Sequence, residues 1–166
     1  MLGAIIITRD MAPAWLARVD QMRLTLAHHA DRVIIFGGVE GGNAPDHVPL
    51  APPASELGAI ATVLAHAGDE HAIVLAADLR HPSSELLRYM VHVRGSFDAV
   101  VPVGRNDVPQ PLLALYHPRC AGRARGLLSG GESDPSMLLQ IATVRRVTDD
   151  EVAKFGDPAE LLARGG

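Results

Sequence analysis

Apolar residues fall along this chain in two alternating patterns. The first is a set of short unbroken runs: Gly3 to Thr8 (GAIIIT), Arg32 to Phe36 (RVIIF), Ala72 to Ala77 (AIVLAA), Phe97 to Val103 (FDAVVPV) and Leu112 to Tyr116 (LLALY). Runs of this length, rich in Ile and Val, suit strands buried on both faces of a parallel sheet. The second pattern spaces apolar residues by threes and fours and predicts helices. Ala14 to His29 carries Leu16, Val19, Met22, Leu24 and Leu26, with Trp15 near its start. Further helices are expected over Ser55 to Ala67, from Pro82-Ser83-Ser84 to near Gly95, and over Pro118 to Leu128, Ser136 to Ile141 and Pro158 to Arg164. His47 to Leu50 and Thr143 to Val147 fit short edge strands, the second with its arginines outward. Asp149 to Phe155 fits neither pattern. The alternation predicts an α/β fold, a three-layer α/β/α sandwich on a mostly parallel sheet. A length of 166 residues suits one domain over residues 1–166.

The run Ala72 to Ala77 ends in a single carboxylate, Asp78, and Pro82, Ser83 and Ser84 then open a helix with Glu85 in its first turn. Asp78 therefore belongs at the carboxyl end of a central strand, where open α/β sheets bind ligands. A carboxylate there suits Mg²⁺, which takes one or two carboxylates plus substrate phosphates. It equally suits a residue that caps the turn or the next helix, and the stretch alone leaves both readings open. Gly37 to Pro53 (GGVEGGNAPDHVPLAPP) lacks the GxGxxG spacing, a following helix and a lysine, so it reads as a surface loop and not as a phosphate cradle.

Charge and composition narrow the chemistry. A net charge of −4 leaves no electrostatic footprint for nucleic acid or an anionic membrane. Lys154 is the only lysine, which argues against a P-loop or Schiff-base lysine. Cys120 stands alone, so no disulfide forms within one chain, and it reads as a small apolar packing residue. The eight histidines show no HxxxH or HExxH spacing, and His81, three residues past Asp78, reads as a surface residue within reach of the site. The opening MLGAIIIT has no basic lead-in and stops at Arg9-Asp10, so it is expected to be neither signal peptide nor membrane span. A cytoplasmic protein is expected.

Taken in order, several segments resemble the MobA-type molybdenum cofactor guanylyltransferases, part of the GT-A-like nucleotidyltransferases with a nucleotide-diphospho-sugar transferase-like fold. Val74 to Leu87 (VLAADLRHPSSELL) is similar to that family's VLACDMPFLSPELL. Asp98 to Tyr116 (DAVVPVGRNDVPQPLLALY) looks like its DAVVP…QPLxALY, and SELGAI is similar to GPLAGI. SGGESDPSMLL and FGDPAELL suit the later helix and the closing segment. The resemblance implies that GTP or another NTP and Mg²⁺ bind at the carboxyl edge of the sheet. A phosphorylated pterin then attacks the α-phosphate, and pyrophosphate leaves. It matches Asp78 to the family's metal-binding aspartate, and Gln110 and Pro111 to the QP motif on the pterin side.

The chain also departs from that pattern. The family's first strand leads into a glycine-rich loop, LAGGxSxRMGxDK, whose backbone N–H groups, arginine and lysine hold the triphosphate. Here the strand runs into TRDMAPAW, which leaves Thr8, Arg9 and the start of the first helix to hold one anionic group. Gly-Pro of GPLAGI becomes Ser55-Glu56, a negative charge where the family meets the nucleotide. Asp157 reads as a helix N-cap before Pro158. Two functions follow from the resemblance: a divergent nucleotidyltransferase of molybdenum cofactor chemistry, or an inactive relative that binds a pterin, a nucleotide or a partner protein as a scaffold.

Overall fold

The apolar runs become the strands of one sheet in a computed structural model, which describes residues 1–7, 14–38, 46–50, 55–104 and 107–164, with residues 14–17 by backbone alone. In chain order the elements are β1 (Leu2–Ile7), α1 (Ala14–Ala27), β2 (Arg32–Gly37), β3 (His47–Val48), α2 (Glu56–Ala67), β4 (Ala72–Ala76) and α3 (Ser84–His92). Then follow β5 (Ala99–Pro102), β6 (Leu113–Tyr116), α4 (Cys120–Ser129), α5 (Ser136–Ile141), β7 (Val144–Val147), α6 (Asp149–Val152) and α7 (Pro158–Leu161). The seven strands lie in the order β3-β2-β1-β4-β6-β5-β7. β1 pairs in parallel with both β2 and β4. β6 runs against both β4 and β5, so β5 points the same way as β4.

Side chains alternate across a strand, and the two sets enter two cores. Ala4, Ile6, Val74 and Ala76 pack with Leu57, Ile60 and Leu64 of α2, Cys120 and Ala124 of α4 and Leu138 of α5. Ile5, Ile7, Ile73 and Leu75 pack with Val19, Met22 and Leu26 of α1, Leu86, Leu87 and Met90 of α3, Val152 and Leu161. This is why β1 and β4 are apolar without interruption. Each fully buried aliphatic chain contributes about 1.5–3 kcal/mol relative to exposure.

Local chemistry sets the helix starts. Ser55 accepts a hydrogen bond from Gly58 N at 3.0 Å, and Ser83 from Leu86 N at 3.2 Å. Asp157 caps α7 through Ala159 N at 2.9 Å. Asp149 to Phe155 resolves into α6 and a 3-10 turn, Ala153–Phe155, its start fixed by a Thr148–Glu151 capping box. Two expectations are corrected. Arg145 turns inward to Glu151, with Nη2 at 2.5 Å from Oε1, because the helix after the edge strand offers it a carboxylate. The last helix ends at Leu161, not Arg164, and Arg164 bridges to Leu79 as an antiparallel partner.

Candidate functional site at the carboxyl edge of the sheet

β1 and β4 are neighbours, yet from β1 the chain turns to one side of the sheet and returns at β4 to build the other. That reversal makes their carboxyl ends the topological switch point, the place where doubly wound sheets bind ligands. Asp78 stands there, two residues past Ala76, with its side chain 7% exposed. It does not cap α3; Ser83 does. Instead Arg164 donates Nε–H to Asp78 Oδ1 at 2.8 Å. The same guanidinium donates from Nη1 to Glu56 Oε1, also at 2.8 Å. Glu56 is the first residue of α2, where the helix dipole favours a negative charge. The backbone around Arg164 is held as well, with Arg80 N donating to Ala163 O at 3.0 Å. Burial works against the charge of Arg164, and its hydrogen bonds to Asp78 and Glu56 outweigh that, keeping its pKa above the ordinary value.

The same edge gathers the later motifs. Ala76 N donates to Leu112 O at 2.8 Å, which sets the Gln110–Pro111 turn beside the end of β4. Tyr116, fully buried, donates its hydroxyl to Pro111 O at 2.8 Å and pins that turn. A Cβ built on Gly104 would stand 3.5 Å from Leu162 and 4.0 Å from Gln110 Nε2, so the Gln110 side chain and the C-terminal segment flank the same glycine. The loop after α4 reaches the start of α2, where Leu57 N meets Ser133 O at 3.4 Å. Gly37 and Gly38 end β2 with φ of +87° and +96°, and a Cβ on Gly37 would fall 2.0 Å from Ile7 O. Close backbone approach requires the glycine at Gly37, whereas Gly38 is favoured by its positive φ alone, an added Cβ there meeting only side chains.

Other candidates lie elsewhere. Thr8 and Arg9 fall outside the described residues, as do positions 39–45 of the glycine loop. His81 is 63% exposed and sits 3.7 Å from Glu160. Cys120 is buried, its thiol donates to Asp98 O at 3.3 Å, and burial pushes its pKa up to about 11. Asp98 lies at the opposite, amino end of β5. Burial works to raise its carboxyl, but Arg123 and both donors of Thr143 outweigh this and hold it well below the usual carboxylate range. Sequence reasoning missed Arg164, and treated Glu56 only as a departure from the family pattern. No local signal marked the pairing, since Glu56 and Asp78 meet Arg164 only across 108 and 86 residues of chain.

A family model of the MobA-like NTP transferase domain matches residues 18–147. The chain belongs to that family. The match spans both halves of the sheet, from α1 to β7. None of the curated proteins matches the chain. Among solved structures, molybdopterin-guanine dinucleotide biosynthesis protein A from Archaeoglobus fulgidus superposes with a TM-score of 0.74 at 17% identity, covering 94% of this chain and 87% of that one. The 2-C-methyl-D-erythritol 4-phosphate cytidylyltransferase from Thermus thermophilus gives 0.65 at 16% identity, over 88% and 87%. A Mycobacterium tuberculosis protein in complex with manganese gives 0.56 at 15% identity, over 89% and 86%. At these identities the likeness is one of fold, the nucleotide-diphospho-sugar transferase type.

The donor set can be tested against a divalent ion. Asp78 and Glu56 both direct an oxygen at one cation, the Arg164 guanidinium. Carboxylate oxygens are the ligands that Mg²⁺ and Mn²⁺ prefer, and Asp78 is of that chemistry, but here the Arg164 guanidinium satisfies both carboxylates. No group of three or more His, Cys, Asp or Glu that could hold a metal occurs among the described residues. Substrate or water oxygens would have to complete the shell. No described helix is long and apolar enough to cross a membrane.

Proposed function

We propose that this chain, acting as one domain over residues 1–166, is a nucleotidyltransferase that moves the nucleotidyl group of GTP or another NTP to a phosphorylated pterin in molybdenum cofactor chemistry. One observation carries the reading: a buried carboxylate, Asp78, stands at the carboxyl end of β4 beside the β1/β4 switch point, the position its family resemblance gives to a metal ligand. Asp78 would hold Mg²⁺, which when bound neutralises triphosphate charge. Thr8 and Arg9, which follow β1 in the sequence, would take the nucleotide phosphates, and Gln110 and Pro111 the acceptor side. An acceptor phosphate oxygen forms the new bond to the α-phosphorus as the bond to pyrophosphate breaks. Such a reaction needs mainly positioning and charge stabilisation from the protein.

A second reading, a nucleotide- or pterin-binding scaffold without transfer, is favoured by one feature: Arg164 already covers Asp78. Thermal shift with Mg²⁺ and each of GTP, CTP, ATP and UTP decides whether a nucleotide binds, since a ligand at about 100 times its Kd adds about 2.7 kcal/mol. No shift with any of the four at millimolar levels would end the transferase reading. Where one binds, pyrophosphate release with a phosphorylated pterin separates transfer from storage.

A further inference from the structure

His71 and His117 stand opposite one another at the amino end of the sheet, one step beyond the Ala72–Tyr116 pair of the antiparallel β4/β6 ladder. Their rings meet edge to face with centroids 4.7 Å apart, and both residues are half-buried. The backbones around them join several elements. Leu2 N of β1 donates to His71 O at 2.9 Å, His117 N donates to Asp98 O at 2.8 Å just before β5, and Cys120 N, the first of α4, donates to His117 O at 3.0 Å. We infer that this pair is an acid-sensitive latch, which holds the start of α4 on the amino end of the sheet while both rings are neutral and releases it when they take up protons. The latch lies at the end of the sheet away from Asp78 and stands whether or not the chain transfers a nucleotide.

The hydrogen bonding of His117 fixes the sense of the switch. Arg119 N donates to His117 Nδ1 at 3.1 Å. A backbone N–H can only donate, so Nδ1 is the accepting nitrogen and carries no proton. A proton added there sets donor against donor at the residue that precedes α4, and the bond is lost. The surroundings do not compensate the new charge. His71 faces His117, Arg94 beyond α3, the Met1 ammonium and Arg119, and each disfavours a proton on it. Glu70, next to it in the chain, is engaged by the Met1 ammonium and Arg32. His117 faces Arg119 and one carboxylate, Asp98, which is already paired with Arg119 and Arg123. Like charges directly opposite one another across an antiparallel pair are destabilising. Burial first, and these cations after it, hold both histidines below the ordinary value of 6.5. The unfolded chain therefore takes up the protons more readily than the fold. Stability is full above about pH 6.5 and is lost as pH falls through the folded values.

The test compares the full chain with His117→Asn, whose side-chain oxygen accepts from the amide two residues on, as in an Asx turn, and takes up no proton. Between about pH 7.5 and about pH 5, urea unfolding should show wild type losing roughly threefold or more in folding equilibrium constant relative to His117→Asn. His29, which burial also holds low, is common to both proteins and cancels. A ratio that stays constant across the range overturns the latch. A second arm needs no change to the chain. In isotope-labelled wild type, the Arg119 amide resonance should move with the titration of the His117 ring, and the amides of the first turn of α4 should lose exchange protection over the same interval. An Arg119 amide that ignores the ring, or first-turn protection that persists below the ring's midpoint, overturns the latch even where His117→Asn does not fold. His71→Phe keeps an aromatic ring against His117 without its charge, so the His117 midpoint should rise. An unmoved midpoint overturns the coupling of the pair.

Discussion

Arg164 reaches back 86 residues to place its Nε 2.8 Å from Asp78 Oδ1, so the C-terminal segment and the end of a central strand meet at one ion pair. The pair is partly desolvated: Asp78 is buried and Arg164 is 30% exposed. Breaking such a pair from one side leaves a charge without its partner, which costs more than the pair contributes when both are replaced. Arg164→Met is therefore expected to lower stability by about 1–3 kcal/mol, and Asp78→Asn with Arg164→Met by less than the sum of the single changes. Urea unfolding of the four proteins of this cycle measures the coupling. Additive losses would mean that the two side chains do not act on each other in solution.

The strands, the Ser55 and Ser83 caps and the sheet class were all readable from the chain, because each rests on residues within a few positions of one another. Asp78 was readable as a site residue for the same reason: a carboxylate at the end of an apolar run has few other places to be. Its partner was not. Arg164 follows PAELLA, whose spacing reads as helix, and nothing local marks where α7 stops or that the next residues lie along Leu79 and Arg80. Glu56, 108 residues before Arg164, joins the cluster only through the packing of α2 on the sheet. Long-range charge pairing is a property of the assembled edge and leaves no periodic trace.

Glu151 predicts an acid response. Hydrogen bonds from Arg145 lead, burial opposes, and Tyr89 adds to them, so its carboxyl is pulled down to about 2 from 4.5. A carboxylate depressed in the folded state stabilises the fold above its unfolded value, and that contribution is lost as pH falls through the folded one. The stability gap between wild type and Glu151→Gln should thus be full above pH 4.5 and shrink toward pH 2. Denaturant midpoints taken through that window read it directly. A gap that stays constant over the whole range would rule Glu151 out as the source.

Two glycines separate backbone strain from backbone collision. Gly68 has φ +61° with nothing within 4 Å of an added Cβ, while Gly37 has φ +87° and would set a Cβ 2.0 Å from Ile7 O. Gly68→Ala should then cost about 1–2 kcal/mol. Gly37→Ala should cost about 3 kcal/mol or more, since β1 and β2 must part at the very edge where the site lies. Similar losses for the two would mean that the end of β2 relaxes freely.

Asp98 and Asp78 give the sharpest contrast between the two ends of the sheet. Asp98 is 4% exposed and accepts from Arg119 Nε at 3.0 Å, Arg123 Nη1 at 2.5 Å, and Thr143 N and Oγ1 at 2.9 and 2.8 Å. It ties the start of β5 to α4 and to the turn before β7. Asp98→Ala strands two arginines and two Thr143 donors, and should cost about 3–5 kcal/mol. Because it lies at the amino end of β5, across the sheet from Asp78, it should leave nucleotide affinity nearly unchanged in whatever fraction stays folded. Asp78→Asn should do the opposite, with a smaller loss of stability and a clear loss of the Mg²⁺-dependent part of nucleotide binding. Titration of nucleotide into both variants, well below their unfolding midpoints, compares them on equal terms. If Asp98→Ala abolishes binding in folded protein while Asp78→Asn spares it, the site belongs at the other end of the sheet.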